Sequence, residues 1–317
     1  MAKHRLLSSV LGAGTMGHGI AQVLALAGHQ VRLFDPDPEA HDKARQAIAQ
    51  SLALLVELGL NSKEQAASCQ KRINYHADLS TACSGVDLIV ESAPEDMDLK
   101  QRLYASIEEM VPPEALICTN TSALSISELA RGLKHPSRFV GAHFWNPAQI
   151  IPCVEIIRGE RTSDQTFERV VEIMREAGKE PVRVLKDVPG FLGNRMQHAL
   201  QREALSLVEQ GVASAEDVDR VVQHGFGLRL ALMGPMERAD LGGLDTTLKV
   251  QKYLLPYLDC RPTASPLLER QVEAGHLGLK TGAGFFEWPP QKTERIVSQR
   301  DRALLGIIGL KRALNES

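Results

Sequence analysis

The sequence predicts an α/β protein in two parts: a Rossmann-type doubly wound parallel sheet with a helical hairpin over residues 1–186, followed by an all-α domain over residues 187–317. Three observations predict it. Up to about Lys186, short apolar runs alternate with helical stretches, the pattern of βαβ units on a parallel sheet. The first of these runs passes through a glycine-rich turn directly into a helix. Beyond Pro189-Gly190 the strand signals stop and amphipathic helices take over.

The first strand is Leu6–Leu11, with Ser8 and Ser9 where a buried parallel strand is normally Val, Ile or Leu; small hydroxyls are expected to pack there by bonding to the backbone. Gly12-Ala13-Gly14-Thr15-Met16-Gly17 is the turn, and His18–Ala27 is the helix, stopped by Gly28. His29–Asp35 is the second strand. Pro38–Leu60 and Ser62–Cys69 are too much helix for an ordinary crossover, so a hairpin at about 38–70 is expected to project from the sheet. Val86–Glu91, Leu116–Asn120, Phe139–His143 and Val154–Ile157 are further strands, and Ser125 caps a helix running to Leu133. Phe191–Glu209 is one amphipathic helix ended by Gly211, and Ser214 caps the next, with Asp217 in its first turn. Helix and turn continue to about Asp259. Gly275–Gly284 is loop, Phe285–Trp288 closes the domain, and Thr293–Leu314 is a final helix.

Composition excludes several classes of function. At 44% hydrophobic and 24% charged, the 317 residues describe an ordinary globular chain. A net charge of −3 offers no field for nucleic acid. Five scattered cysteines (Cys69, Cys83, Cys118, Cys153, Cys260) form no metal or disulfide pattern, so no metal is expected. No apolar run approaches the roughly 18 residues of a membrane span, and no signal peptide precedes the first strand. The expectation is a cytoplasmic protein that acts on a small molecule, not on a membrane or nucleic acid.

Gly12–Gly17 fits G-x-G-x-x-G. Its glycines suit the tight turn (Gly12), the approach of a pyrophosphate (Gly14) and helix packing (Gly17); Thr15 and Met16 complete the cradle. The following helix aims its N-terminal dipole at the phosphates. Asp35 ends the second strand, where a carboxylate accepts from both adenosine-ribose hydroxyls and repels a 2′-phosphate, so the expected cofactor is NAD rather than NADP. Three polar stretches then stand where strand ends or helix starts do not need them: Asn120–Leu124, His143–Pro147 and Pro189–Arg195. With Glu155 on the next strand to accept its second ring proton, His143 is a candidate general base.

Taken together, Gly12–Ala21, Thr119–Ser122, His143–Pro147, Val154–Ile157, Asp187–Arg195 and Lys280–Phe286 resemble the L-3-hydroxyacyl-CoA dehydrogenase family in order and spacing, over roughly residues 5 to 288. The resemblance implies His143 as catalytic base, Glu155 as the carboxylate that orients it, Ser122 as contact to the substrate oxygen, and Asn194 as an active-site asparagine. It also implies Glu95 and Lys100 on the nicotinamide-side ribose, Asn120 in cofactor binding, Asn146 with the substrate, a role in fatty acid metabolism, and a homodimer paired through the second domain.

The chain departs from that family at the hairpin. Ser51 matches the serine that holds the CoA nucleotide, but its lysine partner is replaced by Leu58 in a run, Leu52–Leu60, without a basic residue. Gly225–Pro235 is longer than in acyl-CoA enzymes and resembles L-gulonate and L-carnitine dehydrogenases; Arg229 there is a candidate partner for a free carboxylate. Ile150–Cys153 replaces a Met-Lys-Leu-type run. The leading expectation is oxidation of an L-3-hydroxyacyl-CoA, the alternatives being a free small 3-hydroxy acid or a non-catalytic NAD-binding protein of the lens-crystallin kind.

Overall fold

A computed structural model describes residues 6–315, so the outermost ends of the two expected domains, 1–5 and 316–317, lie outside the described residues. The chain forms two compact units, one ending at Arg195 and the other starting at Met196. The division falls beyond residue 186 because the turn after the last strand is bonded into the first unit: the Leu192 and Gly193 N–H groups both donate to Glu155 at 3.0 Å.

The first unit is an eight-stranded sheet in the order β3-β2-β1-β4-β5-β6-β7-β8. Its strands are β1 (Leu7–Leu11), β2 (Gln30–Phe34), β3 (Ile73–His76), β4 (Leu88–Glu91), β5 (Leu116–Thr119), β6 (Phe139–Phe144), β7 (Cys153–Ile157) and β8 (Glu180–Val184). Helices α1 (Gly17–Leu26), α2 (Pro38–Glu57), α3 (Lys63–Arg72), α4 (Leu79–Cys83), α5 (Met97–Met110), α6 (Ile126–Leu129) and α7 (Asp164–Glu176) connect them. All pairings are parallel except β6 with β7. That exception refines the expectation of a doubly wound parallel sheet to a mostly parallel one. Residues 145–152 are too few for a crossover helix, so β7 must return beside β6 in the opposite sense. As a result His143 and Glu155 face each other in register.

Two further expectations change. The hairpin does not simply project, because α2 and α3 both pack on α1: Ile48 and Leu52 are buried, Gln22 donates to Ser51, and Arg72 donates to the Ala25 carbonyl at 3.0 Å. The β1 serines are fully buried but do not bond to backbone. Ser8 Oγ pairs with His29 Nδ1 at 2.7 Å, while Ser9 Oγ has no partner among the described residues.

The second unit comprises most of α8 (Gly193–Glu209), then α9 (Ala215–Val221), a π turn (Val222–Phe226), α10 (Gly227–Leu230), α11 (Pro235–Gly242), α12 (Leu244–Leu254), α13 (Pro266–Glu273) and α14 (Pro290–Asn315). Ser214 caps α9 by accepting from the Asp217 N–H. None of α9 to α13 contains a buried residue.

Candidate active site at the carboxyl strand ends

The glycine turn is fixed by backbone contacts. Gly12 has φ +102°, and a Cβ there would lie 2.6 Å from the Ser92 carbonyl oxygen. A Cβ on Gly17 would lie 1.7 Å from the Gly12 oxygen, so that helix and turn touch main chain to main chain. Gly14 faces open space, Thr15 is exposed, and no side chain caps α1 at Met16. The first amides of α1 are thus available for phosphate oxygens. Asp35 follows β2, its Oδ2 accepting from the Ala13 N–H at 2.9 Å and Oδ1 from the Asp37 N–H at 3.0 Å. These contacts orient the carboxylate beside the turn, and each oxygen keeps a further lone pair for a ribose hydroxyl. The turn, the uncapped helix and Asp35 fit NAD.

Next to it, on the same ends of the sheet, lies a buried dyad. His143 Nδ1 is 2.8 Å from Glu155 Oε2, and both residues are almost wholly enclosed. Burial alone would raise the Glu155 pKa. The hydrogen bond from His143 and the Gly193 and Leu192 amides outweigh it and hold the carboxyl below its ordinary value, with a smaller contribution from the charge His143 carries when protonated. When the imidazole is neutral and donates from Nδ1 to the ionised Glu155, its Nε2 lone pair is free to accept. Trp145 and Phe191 flank the imidazole, with ring centroids 5.3 Å and 5.8 Å away. Trp145 also fills the space beside Gly193, where a Cβ would come 2.1 Å from its ring.

Ser122 lies on the loop after β5 with its main chain held from two sides. Its N–H donates to Glu95 Oε1 at 2.9 Å and its carbonyl accepts from Asn194 Nδ2 at 2.8 Å. No described residue takes its hydroxyl, and the side chain is exposed. Asn120 ties the neighbouring strand ends together, its Oδ1 accepting from the Phe144 N–H at 2.8 Å. His143, Glu155, Asn194, Ser122 and Glu95 therefore form one connected set within the first unit.

Two family descriptions match the chain. "3-Hydroxyacyl-CoA dehydrogenase, NAD binding domain" covers residues 8–188, and "3-hydroxyacyl-CoA dehydrogenase, C-terminal domain" covers residues 190–288. The chain belongs to the 3-hydroxyacyl-CoA dehydrogenase family. It is an NAD-dependent oxidoreductase of that family. Among its relatives, 5-formyl-3-hydroxy-2-methylpyridine 4-carboxylate 5-dehydrogenase of Mesorhizobium japonicum is 36% identical, over 94% of this chain and 96% of the relative. A probable 3-hydroxybutyryl-CoA dehydrogenase of Bacillus subtilis is 37% identical, over 88% of this chain and 96% of the relative. The crystal structure of a 5-formyl-3-hydroxy-2-methylpyridine 4-carboxylic acid 5-dehydrogenase, described as an NAD+-dependent dismutase, superposes with a TM-score of 0.92 at 34% identity, covering 98% of this chain and 99% of that one. The (S)-3-hydroxybutyryl-CoA dehydrogenase of Ralstonia eutropha gives 0.75 at 34% identity, covering 90% of this chain and all of that one.

Among the described residues, the others singled out from the sequence are not hydrogen-bonded to that set. Ser51 is turned toward α1, where its Oγ accepts from Gln22 Nε2 at 3.0 Å. Leu58 is exposed at the end of α2. Asn146 is exposed on the loop after β6 and precedes a cis peptide to Pro147. Arg229 is exposed on α10 in the second unit. Lys100 is inaccessible at 1% exposure, its ammonium 2.6 Å from Glu91 Oε1. Sequence reasoning had not picked out Glu91. The available signal was a carboxylate ending an otherwise apolar strand, with a lysine nine residues on.

Proposed function

We propose that this family member oxidises the hydroxyl-bearing carbon of a small free carboxylic acid with NAD, using His143 as base. The observation that carries the chemistry is the dyad: a histidine with one nitrogen bonded to an ionised, buried carboxylate and the other open. NAD, when bound, supplies the hydride acceptor. The residues that would hold it are Gly12–Gly17, with Thr15 and Met16, for the phosphates, Asp35 for the adenosine ribose, and Glu95, Lys100 and Asn120 on the nicotinamide side. His143 Nε2 takes the substrate hydroxyl proton, and Glu155 stabilises the imidazolium where little water reaches. Ser122 Oγ bonds to the substrate oxygen, with Asn194 and Asn146 beside it.

A CoA thioester is what the family description would suggest first, together with a place in fatty acid metabolism. Features of the hairpin favour the free acid. Leu58 stands where a phosphate would want a cation, and Ser51 is already engaged by Gln22. Arg45 stacks 4.1 Å above the Tyr75 ring, and Lys43 pairs with Glu39. The pyridine-carboxylate dehydrogenase also matches a larger share of this chain than the hydroxybutyryl-CoA relatives do. The decisive experiment follows NADH absorbance over a panel of L-3-hydroxybutyryl-CoA, free L-3-hydroxy acids and pyridine carboxylates bearing an oxidisable side chain. Free acids should be preferred, and replacing Lys43, Arg45 and Lys63 together with alanine should leave their KM unchanged. Faster turnover of the CoA ester, with KM raised by the triple variant, would overturn the free-acid reading.

We further propose a homodimer through the second unit. Leu228 is 61% exposed, Leu244 62% and Tyr253 74%, on helices that bury nothing of their own. Apolar surface on that scale is normally covered, and a second copy in a closed two-fold dimer is the simplest cover. Sedimentation at micromolar concentration should give twice the 34.7 kDa chain mass, and a monomer would refute it.

A further inference from the structure

We propose that Phe191 is a positioning residue for the His143–Glu155 pair: its buried ring holds a left-handed turn whose next two amides form a nest on Glu155 Oε1. The inference rests on the reading of that pair as the proton-transfer site. Among the described residues Phe191 is the one non-glycine at positive φ, +52°. A Cβ in that region crowds its own main chain, and glycine is the residue that takes it freely. Phe191 is nonetheless wholly enclosed, in the same buried cluster as Leu11, Ile126 and Ile157. Its ring centroid lies 5.8 Å from that of His143. Burying a phenyl ring offsets the crowding, so the side chain keeps the backbone where it would not otherwise rest.

The turn is built in two steps. Val188-Pro189-Gly190-Phe191 closes with the Phe191 N–H donating to the Val188 carbonyl at 3.0 Å, with Pro second and Gly third, the order of a type II turn. Gly190 has φ +75°, and Phe191 repeats the positive sign. The chain therefore doubles back, and the Leu192 and Gly193 N–H groups converge on one carboxylate oxygen, each at 3.0 Å. Successive amides in a turn make a cradle for an anion, occupied here by the protein's own carboxylate. Both ends of the turn are tied to the neighbouring loop. Asp187 Oδ2 accepts from Ser125 Oγ at 2.6 Å and from the Ser127 N–H at 2.8 Å, and Asn194 donates to the Ser122 carbonyl. Swivelling the carboxylate would break both amide bonds, which keeps Oε2 on His143 Nδ1. The same amides favour the ionised carboxyl.

The test uses full-chain variants beside Glu155→Gln as reference. Each is assayed for kcat/KM against pH with the fastest substrate of the panel above, and for NAD affinity by calorimetry. Phe191→Ala removes the ring and keeps a Cβ at the crowded position. It should lower kcat by on the order of 10-fold and leave the NAD Kd unchanged. Phe191→Gly loses the same ring but takes positive φ freely, so it should recover about fivefold of that loss. Gly190→Ala keeps the ring, and its Cβ would meet nothing nearer than Arg195 Cγ at 3.4 Å, so it disturbs the conformation alone. It too should lower kcat, and it decides the matter should the Phe191 variants not fold.

A pair deprived of these amides binds its next proton more tightly, whichever residue takes it. The acid limb of the profile should therefore move up by about one pH unit in Phe191→Ala and in Gly190→Ala. In Glu155→Gln it should move down, because the imidazolium loses its anion. Cys153, two residues before Glu155 on β7, stays out of the profile, since burial pushes its thiol up to about 11. An acid limb that stays in place in both alanine variants would overturn the proposal, as would a Phe191→Gly no faster than Phe191→Ala. If Glu155→Gln leaves both kcat and the limb unchanged, the reading of the pair fails and the proposal falls with it.

Discussion

Two buried carboxylates at the same ends of the sheet have been put to opposite uses. Glu91 on β4 and Glu155 on β7 are both almost fully enclosed, and both accept backbone amides along with the proton of a nitrogen base. Around Glu91 the carboxylate is closed: four donors fill it, the Lys100 ammonium among them. Around Glu155 one valence stays open, because His143 Nε2 has no hydrogen-bond partner among the described residues. The difference lies in the base. A lysine ammonium brings three donors and can be saturated, whereas an imidazole bonded on one side still presents a lone pair on the other. The closed pair orders backbone, and the open pair is equipped to move a proton.

Removing the open valence should have the largest effect. His143→Gln is expected to lower kcat by roughly 10²–10⁴-fold, the usual contribution of a general base, with the NAD Kd nearly unchanged. Steady-state kinetics with calorimetry checks it, and a near-normal kcat would make the two carboxylates alike after all. Glu155→Gln should follow with a loss on the order of 100-fold, since the imidazole keeps its place but the imidazolium loses its anion. A substitution there that left kcat intact and mainly raised the NAD KM would count against the dyad.

The open site was far more legible in the sequence than the closed one. The glycine turn, Asp35, His143 and Glu155 are polar or glycine exceptions at the ends of apolar strands, and their spacing carries meaning. Glu91 is also such an exception, yet its partners Tyr104 and Thr119 come from a helix and another strand, and nothing local announces that they converge. The antiparallel turn of β7 was hidden for a related reason. An apolar strand reads the same in either direction, and only the short 145–152 connection decides. Most helices of the second unit were legible as helices because caps such as Ser214 are local signals. Their exposed apolar faces could not be told from core faces, since periodicity shows which side is apolar and not what covers it.

Asp35 extends the comparison to a third carboxylate, half-buried and bonded only to two backbone amides. Its remaining capacity faces solvent, so its variant should touch binding alone. Asp35→Ala is expected to raise the NAD KM by about 10- to 100-fold, corresponding to one charged hydrogen bond of 1.5–3 kcal/mol, and to narrow the preference over NADP. A fall in kcat at saturating NAD would show that Asp35 reaches further into the site than these bonds imply.

The smallest expected effect is on acid stability, and it sharpens the contrast at Glu155. Its pKa is held below the ordinary 4.5 in the folded chain, so the folded state binds fewer protons there than the unfolded one does. The stabilisation is complete above the ordinary carboxylate value and is lost as pH falls through the lower, folded one. Glu155→Gln has no such window. The gap in Tm between wild type and this variant should therefore shrink as pH is lowered from about 6 toward 3. The buried Ser8–His29 pair does not confuse the measurement. Burial lowers the His29 pKa, so stability falls as pH drops below 6.5, but it does so equally in both proteins and cancels in the difference. A Tm gap that stays constant across that range would mean the dyad's hydrogen bonds do not hold Glu155 ionised, and with it would go the argument for a proton on Nδ1 and a free lone pair on Nε2.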